Sequence, residues 1–179
     1  MSPGPCANDM TKGNTALEIR LPQPSEVSEK ERDDALGSYL MMFASLAVGV
    51  PIPLLNLVAS VIYFLVNRKT SAFVAFHALQ ALLAHIPVVL LNAGAVTWLV
   101  ANLVTHAAFW GRFLWYLLFV GIVNLVYIVW SIVALIHASK GRFFYMPVVG
   151  RLSFARYFGR GVREKPAPRV WENKPPEGF

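Results

Sequence analysis

No acidic residue occurs between Asp34 and Glu164, and between Ser38 and Ser139 only Arg68, Lys69 and Arg112 carry a fixed charge. The first absence removes any embedded carboxylate that would serve as a general base or carry a proton. The second excludes a soluble helical fold over that stretch, because every surface helix of such a fold needs a polar face. Cys6 is the only cysteine, so no internal disulfide forms and no thiolate cluster can hold a metal. Phosphate loops, zinc-helix motifs and nucleophile elbows are also missing. No apolar stretch follows a basic start at the N-terminus, as a secretory signal requires. These absences predict a protein that is not an enzyme, has no catalytic residues and needs no cofactor.

What is present is apolar. Of 179 residues, 56% are hydrophobic, enough for one domain whose middle sits in lipid. The charge lies at the ends. Residues 1–37 carry four basic and seven acidic side chains, a net of −3, and residues 139–179 carry nine basic and three acidic ones, a net of +6. A basic stretch just after a membrane helix reads as a cytoplasmic segment facing anionic lipid. Residues 1–34, with Pro3, Pro5, Pro22 and Pro24, are expected to be a disordered polar tail, and so is 160–179, with four further prolines.

Between the tails lies a helical membrane domain over 35–140, with helices expected at about 35–50, 54–67, 72–104 and 113–138. As one helix, the apolar region 38–66 would reach roughly 44 Å, against a hydrocarbon thickness of about 30 Å. The Pro51/Pro53 pair marks a break, since proline lacks an N–H and disfavours helix before it. The two halves are read as a short hairpin; the alternative is a single kinked span. The polar turn 67–71 holds Arg68 and Lys69, which mark it as cytoplasmic, and Thr70 or Ser71 is placed to cap the next helix. That helix contains Pro87, where a kink is expected. Region 113–138 is an uncomplicated span with Trp115 and Tyr116 at one end and Lys140 and Arg142 at the other. The fold class is thus an all-α integral membrane protein, a bundle of about four helical segments whose first two form a proline-broken hairpin.

At about 100° per residue, His77, Gln80, His85 and Asn92 share an arc of about 140°. Asn124, Tyr127 and Ser131 share a face of the last helix. Lipid cannot bond such groups, so they face the bundle interior. Interhelical hydrogen bonding is the plain reading, a polar solute path the sharper one, and a metal or haem site the weakest, with His77 and His137 as the haem ligands. Ser131, Ala134 and Ala138 form a small-residue stripe, suited to close packing within the chain or to a homo-oligomer seam. After the last helix, Arg142, Arg151, Arg156 and Arg160 alternate with aromatic residues over 141–159. That mix suits an interfacial segment with rings dipped into the membrane and guanidinium groups on phosphates. Lipid headgroup contact is therefore expected at Arg68, Lys69, Lys140, Arg142, Arg151, Arg156 and Arg160, and nucleic acid is not an expected partner.

Leu65-Val-Asn-Arg-Lys-Thr-Ser-Ala-Phe-Val-Ala-Phe-His-Ala-Leu-Gln-Ala81 resembles the signature of a family of small bacterial and archaeal membrane proteins of unknown function. That family is similar in turn to the twenty-kilodalton subunit of the chloroplast inner-envelope protein-import translocon. Its motif positions fall on Phe73, Phe76, His77, Ala78, Gln80 and Ala81. A second motif, at Gly141, Tyr145 and Pro147, resembles the family's exit from its last helix. Arg142 stands where family members often carry an acid, which puts any role of that acid in doubt here. The likeness covers roughly 36–150 and implies a bundle of about four helical segments.

The expected function is a non-enzymatic scaffold, accessory subunit or assembly factor of a larger membrane complex. Its expected partners are anionic lipid headgroups and either a membrane protein or further copies of the chain. The alternative is a transporter or translocation component using the polar face. The expected location is a bacterial inner membrane with the basic tail in the cytoplasm.

Overall fold

The computed structural model describes residues 20–41, 53–105, 110–159 and 173–177. Among the described residues, five helices form the regular structure: α1 Glu29–Leu40, α2 Pro53–Asn67, α3 Ala72–Thr105, α4 Trp110–Ser139 and α5 Val149–Tyr157. The all-helical membrane architecture expected from sequence is what the chain adopts. Two helices, α3 with 34 residues and α4 with 30, are long and apolar enough to cross a bilayer.

The first helix departs from expectation. It begins at Glu29, not Ala35, because Ser28 and Glu31 close a reciprocal cap: the Ser28 Oγ accepts from the Glu31 N–H, and the Glu31 carboxylate accepts from the Ser28 N–H at 2.8 Å. Residues 20–34 are therefore not a disordered tail. Their charge-rich composition hides Leu21 and Val27, which are buried in the core, and that burial holds the segment down. Just before the helix, the Gln23 N–H donates to the Glu26 carboxylate at 2.9 Å. That bond, helped by Arg20, holds the Glu26 pKa below its usual range. Residues 1–19 lie outside the described residues. So do 42–52, which contain the rest of the expected first helix and Pro51.

Helix α2 is 15 residues long, roughly 22 Å and short of a full crossing, and starts at Pro53, where the missing N–H does no harm. Its Leu54, Val58, Ile62 and Val66 are exposed, as suits lipid. Ser71, one of the two expected caps, starts α3: its Oγ accepts from the Val74 N–H at 3.2 Å. The helical assignment of α3 continues through Pro87.

Helices α3 and α4 form a long hairpin with two different ends. Toward the charged end the first turns of α3 are enclosed: Phe73, Val74, Ala75, Phe76, His77 and Gln80 are buried. A helix apolar all round is stable only when covered all round, and here α1, α2, α5 and the segment 143–146 supply the cover. Toward the other end Val96, Val100, Leu103 and Val104 of α3 and Leu114, Leu118, Ile122 and Leu125 of α4 are exposed. Trp98, Phe113, Tyr116 and Trp110 gather at that end, with ring centroids 5.5–6.1 Å apart, as an aromatic belt would. Ala134 and Ala138 are fully buried in the main core, so the small-residue stripe serves packing within the chain.

The exit from α4 is a complete Schellman motif. The Arg142 N–H donates to the His137 carbonyl and the Gly141 N–H to the Ala138 carbonyl, both at 2.9 Å, with Gly141 at φ 70°. A Cβ at Gly141 would also sit 3.2 Å from the Pro24 backbone. Gly141→Ala should therefore lower stability by about 1–2 kcal/mol. Gly121→Ala, inside α4 where nothing stands within 4 Å of the added carbon, is the control and should be neutral to slightly stabilising in the same thermal unfolding measurement.

The C-terminal segments also differ from expectation. Phe143, Met146, Phe154 and Phe158 are buried in the core beside Phe73 and Phe76, so these three rings of 141–159 do not dip into the membrane, while Phe144, Tyr145 and Tyr157 pack against the core half-buried. The bulk of apolar surface on α3 attracts them more effectively than the interface, and the arginines stay outside. Asn173, expected in a disordered tail, is buried and folds back onto the N-terminal segment. Residues 160–172, with Arg160, lie outside the described residues.

Candidate functional site

The polar residues of α3 are brought inside, but they form two separate groups. The upper group lies in the enclosed end. The Tyr39 hydroxyl of α1 accepts from Gln80 Nε2 at 3.0 Å and sits 2.9 Å from His77 Nδ1. The hydroxyl either gives its proton to His77 Nδ1 or accepts one from it, according to the imidazole tautomer. Burial raises the Tyr39 pKa well above its ordinary value, so the hydroxyl stays protonated. Gln80 does two further things. Its Nε2 donates to the Phe144 carbonyl at 2.9 Å, and its Oε1 accepts from the Met146 N–H at 3.3 Å. One amide thus pins α1, α3 and the chain after α4 together.

The lower group is a ladder between α3 and α4. His85 Nδ1 lies 2.9 Å from the Tyr127 hydroxyl, and Ser131 is buried one turn from Tyr127. Asn92 and Asn124 exchange amide bonds at 3.1 and 3.2 Å, and each gives its other proton to its own helix, to the Val88 and Val120 carbonyls. Such pairs are each worth about 0.6–2 kcal/mol in a membrane interior.

The expected haem ligands do not share an open space. The His77 ring is packed by Phe73, Phe76 and Phe143 at 4.6–5.8 Å, and His137 bonds its own helix at Val133 while lying 5.2 Å from Phe144. Phenyl rings fill the volume a macrocycle would need. Among the described residues no group of three or more His, Cys, Asp or Glu is placed to hold a metal.

Of the motif residues, Phe73, Phe76, Ala78 and Ala81 are core, and the Tyr145 hydroxyl donates to the Lys174 carbonyl at 2.7 Å. Pro147 leads into Val148, whose φ of 63° and ψ of −63° make a tight γ-turn closed by the Val149 N–H on the Pro147 carbonyl at 2.7 Å. That turn folds α5 back along α3. Arg68, Lys69, Lys140, Arg142, Arg151 and Arg156 are all exposed at the charged end.

Four residues escaped sequence reasoning. Tyr39 is a lone tyrosine in a charge-rich helix, with no periodicity to single it out. Asn102 is buried on α3 and, at about 340° when His77 is set at zero, falls inside the same arc, so the periodicity that marked His77 and Gln80 was the signal for it. Gly150 reads as a loop glycine, yet a Cβ there would lie 2.8 Å from the Tyr145 backbone and 2.9 Å from Gln80 Oε1. Asn173 carries the densest set of bonds in the tail. Its Oδ1 accepts from the Phe143 N–H at 3.0 Å, and its Nδ2 donates to the Pro22 and Gly141 carbonyls at 2.6 and 3.0 Å. No sequence signal marks it.

A membrane hairpin closed at one end by a small aromatic core and pinned by one glutamine defines a small helical membrane protein. The model of the magnetosome magnetite crystal formation protein family (MamF/MmsF) matches residues 36–153, from within α1 to within α5. The chain belongs to that family. Neither the curated proteins nor the solved structures hold a match to it.

Proposed function

We propose that this chain is a non-enzymatic accessory protein of a bacterial magnetosome membrane, acting in magnetite crystal formation as a scaffold or assembly factor within a larger membrane complex. The observation that carries the reading is the family match over 36–153, which takes in both long helices and the whole polar seam. The chemistry of the seam supports it: His77, Gln80, His85, Asn92 and Asn124 bond to neighbouring helices and so hold the bundle together. A translocation role, which likeness to the translocon subunit would imply, has less support, because those same polar groups bond to tyrosines, amides and backbone within the bundle. The exposed basic residues at one end favour an orientation with that end, and with both 68–69 and 140–156, in the cytoplasm.

Deleting the coding sequence from the host and measuring crystals by electron microscopy tests the reading. Crystals should become smaller or fewer, wild-type chain should restore them, and cross-linking in native membranes should capture a magnetosome membrane protein. Crystals unchanged in size and number would overturn the crystal-formation role.

A further inference from the structure

We propose that the groove between α3 and α4 binds one anionic phospholipid of the surrounding bilayer, with an acyl chain in the groove and the phosphate on Arg156 and Arg68. The groove has a volume of about 290 Å³, at the lower end of the range for small-molecule sites, so it takes part of one chain and not a headgroup. Its walls are Ala84, Val88, Val123, Val126, Trp130 and Val149. Tyr127 also reaches it, but its hydroxyl is engaged by His85, so the ring is what it offers. A slot so apolar and so placed selects hydrocarbon.

The headgroup end follows from the course of α5. Val149 shares the groove with Ala84, Gly150 lies against Gln80, and Phe158 lies 6.4 Å from Phe76. Helix α5 therefore runs antiparallel to the first turns of α3, from the groove toward the basic turn at Arg68. On it Val149, Leu152 and Arg156 recur at i, i+3 and i+7 and so form one stripe. Leu152 is 56% exposed and extends the apolar wall upward. Arg156 stands about 10 Å along the axis from Val149 and 6.0 Å over the Tyr157 ring. Arg68 is near enough to act electrostatically on the same tyrosine. Arg156 thus stands at the top of an apolar stripe that leads into a hydrocarbon-sized slot, on the side of the basic turn at Arg68, which is the order of parts in a phospholipid. Two guanidinium groups on one phosphate favour an anionic lipid over a zwitterionic one.

The site does not depend on the crystal-formation role. The test is native mass spectrometry of the full chain released from bilayer discs holding equal phosphatidylglycerol and phosphatidylcholine. The wild type should retain one lipid, with phosphatidylglycerol favoured by about tenfold. The double variant Arg68→Gln/Arg156→Gln should keep an adduct but lose the preference. Ala84→Phe from the α3 side, or Val126→Trp from the α4 side, should abolish the adduct while circular dichroism shows unchanged helix content. Because the arginines lie on the surface, their variant tests the headgroup even where a groove variant does not fold. A wild type that carries no lipid, or both lipids equally, would overturn the proposal. So would an adduct that survives groove filling, or a lipid-free dimer.

Discussion

Gln80→Leu should lower the thermal unfolding midpoint of the detergent-solubilised protein by on the order of 10 °C, the largest single-residue effect expected in the bundle. The isosteric change keeps the volume but orphans the Phe144 carbonyl and the Met146 N–H and takes one partner from Tyr39. Each buried polar group left unpaired costs about 1–3 kcal/mol, so the sum is about 3–5 kcal/mol. For a chain of this size that corresponds to the stated shift at about 2–4 °C per kcal/mol. Gln80→Glu should be no milder, because its oxygens still accept from Met146 but it has no donor for the Phe144 carbonyl, is repelled by it, and puts an unpaired charge in an enclosed site. Tyr39→Phe removes only the hydroxyl, leaves the bonds of Gln80 to Phe144 and Met146 in place, and should be the mildest of the three. Equal midpoints for wild type and Gln80→Leu would show that the amide does not hold α1 and the 144–146 segment.

Asn173→Ala should release both ends of the described chain from the core at once. The side chain satisfies the Phe143 N–H and the Pro22 and Gly141 carbonyls, all in a place where Asn173 is 2% exposed. Its loss should cost about 3 kcal/mol. Asn173→Asp should do as badly despite its shape, since a carboxylate still accepts from Phe143 but has no proton for the two carbonyls and is repelled by them. The consequence is local. Limited proteolysis should cut residues 20–28 and 173–177 faster in both variants, while far-ultraviolet circular dichroism of the hairpin stays the same. Unchanged protection of both segments would show that the tail is held by something other than Asn173.

These two residues also show how unevenly the chain can be read. Gln80 was visible in advance: an amide in an apolar helix, on one arc with two histidines and an asparagine, has to face a partner. Its partners were not visible, because two are backbone groups some sixty residues away and the third is a tyrosine in a segment whose charge suggested disorder. Asn173 had no signal at all. A single asparagine among prolines gains meaning only when the chain returns to Pro22 and Gly141. The ladder pairings His85–Tyr127 and Asn92–Asn124 stand between, since both faces could be drawn from periodicity and only their register was missing.

The sequence by itself determined the membrane class, the two long helices, the basic end and the inward arc of His77, Gln80, His85 and Asn92, because each rests on local periodicity or composition. Only the tertiary structure decided that the aromatic residues after α4 close a core over the start of α3 instead of lying in the interface, and that Leu21, Val27 and Asn173 join it. The physical reason is that burial is set by what surface remains uncovered elsewhere in the fold. The apolar first turns of α3 left such a surface, and the segments on either side of the hairpin had the rings and the amide to cover it.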